Sequence, residues 1–123
     1  MTQDARTDAQ LIAARRREDE RRYLLSVTDP KLAPKLAPGM QALRSRLIEQ
    51  GSLSWESAVA TALRHSDLAV KTVDVMLRKL LMVGFLTKSG EYSRTYNRRT
   101  KNWVVTDTRT VRLVDWPEAK TEN

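Results

Sequence analysis

From Ala9 to Val27 the chain lacks Gly and Pro and is rich in helix formers, which predicts a helix. Its middle is charged on every face, with Leu11 and Ile12 at one end and Tyr23, Leu24 and Leu25 at the other. Such a helix buries no full stripe on its own domain, so it is expected to project and to dock at its ends. Arg15, Arg16, Arg17, Arg21 and Arg22 bracket Glu18, Asp19 and Glu20 at spacings that allow salt bridges within the helix. Thr28-Asp29-Pro30 stops it. Pro30, Pro34 and Pro38 then recur at four-residue spacing, which predicts a stiff, extended linker.

A second helix follows, with Met40, Leu43, Leu47 and Ile48 at helical spacing and Gly51 placed as its cap. Ser52 to Ser54 is a short extended step, and Ser54 is a candidate N-cap. Trp55, Ala58, Val59, Ala62 and Leu63 then give the pattern of a buried helical face. His65-Ser66-Asp67 breaks that helix, and Ser66 or Asp67 is the expected cap of the next. That next helix spans about Leu68 to Val83, with Ala69, Val73, Met76, Leu77 and Leu80 on its inner side, and Gly84 ends it.

Beyond Gly84 the period changes. Phe85 to Lys88, Glu91 to Asn97, Trp103 to Thr106 and Thr110 to Asp115 are rich in β-branched and aromatic residues and alternate with period two. Turn residues separate them, so a long, bulged hairpin plus a third strand is expected. The division is then a charged N-terminal helix or arm over 1–30, opening with a frayed lead at 1–8. A linker over 31–38, a domain over 39–117 and a tail over 118–123 complete it. The fold class is α+β, mainly α.

Net charge is +7, and its distribution matters more than its size. Residues 1–30 carry six arginines and six acids, so the whole excess lies beyond them. Between Phe85 and Arg112 seven basic residues face two acids. That concentration points to an anionic partner, nucleic acid before membrane. There is no cysteine, which removes disulfides, thiolate metal sites and cysteine nucleophiles and fits a cytoplasmic location. No signal sequence or membrane span is expected. His65 is the one histidine and has no ligand partners, so its expected role is structural or phosphate-contacting. Glu49, Glu56 and Glu91 show no pairing that suggests acid–base work. No enzyme activity, metal, cofactor or small-molecule ligand is therefore expected.

The stretch from Ala62 to Leu86 carries a Thr72-Val73 pair, Leu80, and Gly84-Phe85-Leu86 after a short break. In that setting, helix, short strand, helix, turn, helix, hairpin over about Gly39 to Asp115 resembles the winged helix-turn-helix superfamily of bacterial and phage regulators. It departs from the pattern at Ala69, where such helices often begin with a capping Ser or Thr. The resemblance implies a three-helix core plus a β-hairpin wing, here with an extra N-terminal helix. It implies sequence-specific binding of double-stranded DNA, with a transcriptional repressor as the expected role. A phage excision or replication accessory protein would read the same way. A winged-helix protein–protein interaction module, its basic face on an acidic protein, is the alternative from another class.

With Val73, Leu77 and Leu80 inward, the opposite side of that helix presents Lys71, Val75, Arg78 and Met82, flanked by Thr72, Asp74 and Lys79. Arg or Lys can donate to a guanine edge, Val75 can meet a thymine methyl and Asp74 can accept from cytosine. The bland alternative is a solvated face. Arg94, Arg98, Arg99 and Lys101 cluster at the hairpin bend, four cations in eight residues with no acid among them. They are the expected phosphate or minor-groove contacts. Tyr92 and Tyr96 are read as cross-strand packing. Leu11, Ile12, Tyr23, Leu24 and Leu25 are the expected contacts of a homodimer.

Overall fold

Thr7 opens the first helix, α1 (Asp8–Ser26): its side chain accepts from the Gln10 amide at 3.2 Å, and Gln10 Oε1 accepts from the Thr7 amide at 3.0 Å. A computed structural model describes residues 5–118 of the chain. The first half of the expected frayed lead and residues 119–123 of the expected tail lie outside the described residues. The C-terminal end of α1 does more than dock. Leu24 and Val27 are buried in the core, and Leu25 packs against it.

The proline-rich segment is not extended. The Asp29 carbonyl accepts from the Leu32 and Ala33 amides, and the Ala33 carbonyl accepts from the Leu36 and Ala37 amides. Each of Pro30 and Pro34 directly follows one of those acceptors. The fixed φ of proline suits that place in a turn, so four-residue spacing produces one turn per proline. Pro38 then sits in the first turn of α2 (Ala37–Gln50), where a missing N–H costs nothing.

α2 buries Met40, Leu43 and Leu47, while Ile48 lies outward and is 55% exposed. Strand β1 (Ser52–Ser54) leads into α3 (Trp55–Arg64), capped by Ser54, whose side chain accepts from the Ser57 amide at 3.1 Å. Trp55, Ala58, Thr61 and Ala62 are its buried residues. The break before α4 (Val70–Met82) is longer than expected, five residues from His65 to Ala69. Neither Ser66 nor Asp67 caps α4. Its N-cap is Ala69, which makes no side-chain cap bond, and the Ser66 hydroxyl donates to the Ala62 carbonyl at 2.6 Å. α4 buries Val73, Met76, Leu77 and Leu80.

Four strands follow: β2 (Leu86–Ser89), β3 (Tyr92–Asn97), β4 (Asn102–Asp107) and β5 (Thr110–Leu113). β5 lies between β1 and β2 in a three-stranded antiparallel sheet, and β3 pairs with β4 in a separate two-stranded ribbon. The chain is thus α+β, with four helices and antiparallel sheets among the described residues. The core draws on α1, α2, α3, α4, β1, β2 and β5, and takes in Phe85 and Trp116, whose rings stack at 6.4 Å. The ribbon contributes nothing to it.

The joint between sheet and ribbon is built from backbone and the Thr108 hydroxyl. Thr108 N–H donates to the Glu91 carbonyl at 2.9 Å, and the Thr108 hydroxyl oxygen accepts from the Glu91 amide at 3.0 Å. Gly90 makes the close approach at φ +81°, where a Cβ would stand 2.2 Å from the Thr108 carbonyl oxygen. No helix among the described residues is long and apolar enough to cross a membrane.

Candidate nucleic-acid interface

With its apolar stripe turned inward, α4 leaves Lys71, Thr72, Val75, Arg78 and Met82 in solvent. Lys71, Val75, Arg78 and Met82 follow one another at helical spacing, so they form a continuous outward stripe. Val75 is 40% exposed and the Arg78 side chain 68%. This is the surface the sequence assigns to base contacts.

Two residues of the expected set are committed elsewhere. Asp74 is half-buried: its Oδ1 accepts from the Trp55 indole N–H at 2.9 Å, and its Oδ2 lies 3.1 Å from the Arg78 guanidinium. A carboxylate holding both partners fastens α4 to α3. Lys79 turns toward α1. Its Nζ lies 2.9 Å from Glu20 Oε1, within ion-pair range but not aligned as a hydrogen bond, and 5.1 Å over the Tyr23 ring. Lys79 is therefore a link between α4 and α1.

The expected dimer contacts divide in the same way. Leu24 is fully buried in the chain's own core and is not offered to a partner, and Leu25 is half-buried against that core. Ile12 and Tyr23 are 53% and 43% exposed, and Leu11 is half-buried. The charges of α1 are also less self-contained than their spacing suggests. Arg22 pairs with Glu18 within the helix, but Arg21 reaches Asp115 at 3.7 Å and covers the Phe85 ring at 5.0 Å.

In the ribbon, residues 98–101 form the turn that joins β3 to β4. Asn97 Oδ1 accepts from the Arg99 amide at 2.9 Å and the Thr100 amide at 3.4 Å, and Lys101 takes a left-handed φ of 57°. Arg98, Arg99 and Lys101 are exposed at this tip. Arg94 lies 4.4 Å over the Trp103 ring. Among the described residues Lys71, Arg94, Arg98, Arg99 and Lys101 form no ion pair, so their charge is available to an outside anion. Tyr96 and Trp103 pack at 5.3 Å across the strands, yet both remain about half exposed.

The residue that sequence reasoning missed is Arg109. Its Nε and Nη2 donate to the two carboxylate oxygens of Asp107, each at 2.9 Å. Its guanidinium lies 4.1 Å from the Trp55 ring and 5.0 Å from the Tyr92 ring. The Trp55 amide donates to its carbonyl at 2.9 Å. The hydrogen bonds from Arg109 hold the Asp107 carboxyl below its ordinary range, and the same bonds keep Arg109 firmly charged. Arg109 thus joins ribbon, sheet and α3 at one point. Asp107-Thr108-Arg109 reads as a turn in sequence; the stacking on Trp55 comes from pairing β1 beside β5.

Around that hub lies an open cleft of about 400 Å³, lined by Trp55, Arg78, Leu81, Lys88, Glu91, Tyr92 and Arg109. It brings Arg78 of α4 and Tyr92 of the ribbon onto one surface. His65 is the C-terminal cap residue of α3 and is exposed. Among the described residues no three His, Asp or Glu side chains gather as a metal site. Compared with protein-family models, with curated proteins and with solved structures, the chain matches none of them.

Proposed function

We propose that this chain is a winged helix-turn-helix protein that binds double-stranded DNA sequence-specifically, without enzymatic activity, as a transcriptional regulator. The observation that carries the reading is the pairing of two exposed elements. The outward stripe of α4 begins at Lys71, and a basic ribbon projects from the same side of the body through the cleft that Arg78 and Tyr92 share. The order helix, strand, two helices and then four strands, of which β3 and β4 form a ribbon and the last, β5, pairs back on β1, supports the winged arrangement. α4 is then the helix presented to the major groove, and the ribbon is the wing.

In this reading Lys71, Thr72, Val75 and Arg78 meet base edges, and Arg94, Arg98, Arg99 and Lys101 meet phosphates or the minor groove. Asp74 and Lys79 hold α4 in place behind them. A small protein of this kind represses by occluding polymerase at its site, and Leu11 and Ile12 on α1 remain the surface for a second copy. A mobility shift on random duplex at low salt, followed by selection of bound sequences from a random pool, tests the reading. The expected result is a shift at low salt and enrichment of one sequence. Absence of any shift would favour an acidic protein as the partner of the basic face.

A further inference from the structure

The ribbon leaves both of its faces in water, and the two faces differ. The register pairs Tyr92 with Asp107, Arg94 with Val105 and Tyr96 with Trp103, and directly opposed residues share a face. One face therefore carries three aromatic rings, a valine, Arg94 and Asp107. The opposite face carries Ser93, Thr95, Asn97 and their partners. On the aromatic face Trp103 is 55% exposed, Val105 53%, Tyr92 51% and Tyr96 45%. Arg94 lies 4.4 Å over one side of the Trp103 ring and Arg109 5.0 Å over the Tyr92 ring, yet among the described residues these groups keep about half their surface in solvent, and an apolar patch of this kind marks a contact surface.

Charge decides the class of partner. The ribbon carries Arg94, Arg98, Arg99 and Lys101, and its one acid, Asp107, is held by Arg109. Rings interleaved with unpaired cations fit a polyanion that also presents flat π faces, which is single-stranded nucleic acid. A closed duplex keeps its base faces stacked on one another, so it can use the cations but not the rings.

We propose that the Tyr96–Trp103 face of the ribbon is a stacking platform for unpaired bases, so that the protein binds where duplex DNA opens onto a single strand. This rests on the duplex reading for α4 and adds a second kind of contact beside it. The shared cleft at Arg78 and Tyr92 makes the two surfaces continuous, so one molecule spans such a junction.

The test uses the full chain, a labelled blunt duplex, and a fork made of the same duplex with unpaired thymidine arms, at one salt concentration. The fork is expected to bind about tenfold more tightly or better. Changing Trp103→Ala and Tyr96→Ala together should bring fork affinity to that of the blunt duplex and leave the duplex value unchanged. Acrylamide quenching of the unaltered protein gives a second reading that needs no variant. Trp55 and Trp116 are 4% and 3% exposed, so Trp103 is the accessible indole, and the fork should shield it more than the blunt duplex does.

Equal affinity for fork and duplex, or an equal loss on both in the double variant, overturns the proposal and leaves the duplex reading standing. Fork binding without duplex binding, lost in the double variant, overturns the duplex reading and with it the junction, and reduces the ribbon to a single-strand platform alone. Shielding of Trp103 that rises with protein concentration in the absence of DNA would put a second copy on this face and also overturn it.

Discussion

The indole N–H of Trp55, the first residue of α3, donates at 2.9 Å to Asp74 in the second turn of α4. The same carboxylate lies 3.1 Å from Arg78, so one acid fixes the crossing of two helices and orients a cation on the outward stripe. Asp74→Ala would strand a buried indole N–H, and an unsatisfied buried donor costs about 1–3 kcal/mol. A urea melt should show that loss. An unchanged midpoint would mean that Asp74 does not hold the helices together.

The Asp107–Arg109 pair predicts a specific pH response. Asp107 titrates below its ordinary range because Arg109 hydrogen-bonds its carboxylate. A group with a depressed folded pKa stabilises above its unfolded pKa, about 4 for Asp. That contribution is lost as pH falls through the lower folded value. Asp107→Asn should therefore lower stability at neutral pH and narrow its gap to the unaltered protein in acid. A constant gap from pH 7 down to acid would contradict the assignment.

α1 belongs energetically to the body of the protein. Leu24 is fully buried with Val27 in the common core, and truncating a buried leucine to alanine costs about 2–5 kcal/mol. Leu24→Ala should lower the melting midpoint strongly, whereas Ile12→Ala should leave it near the original. Equal, small effects of both would show that α1 is a detachable arm.

Much of this was legible from pattern alone. Val73, Met76, Leu77 and Leu80 mark the inner side of α4 by their spacing, and Arg98, Arg99 and Lys101 announce a basic bend between two alternating segments. What the sequence hid depends on contacts between distant elements. Lys79 and Lys71 look alike until α1 supplies Glu20 and Tyr23 beside one of them. Leu24 looks like surface until the body closes over it. Period-four prolines fit an extended linker or a series of turns equally well, and the choice lies in backbone bonds to Asp29 and Ala33. Arg109 was invisible because its ring partners, Trp55 and Tyr92, meet only through strand pairing.

Base reading by α4 predicts different behaviour for its cations and for those of the ribbon. Arg78→Ala should cost about 1–3 kcal/mol on the preferred sequence and relax preference at one base pair. The Arg78 side chain is mostly exposed, so folding should change little. Competition against single-base variants of the selected site measures this. A uniform loss across all sequences would make Arg78 a phosphate contact and move base reading toward Lys71.

The central claim is that unpaired cations on the ribbon meet duplex phosphates, and a salt titration of duplex affinity by fluorescence anisotropy tests it most directly. If Arg94, Arg98, Arg99 and Lys101 each neutralise one phosphate, affinity should fall about 100-fold between 50 and 200 mM salt. Replacing Arg98 and Arg99 by alanine should flatten the logarithmic slope by about two. No binding at low salt, or a slope that the double replacement leaves unchanged, would contradict the account.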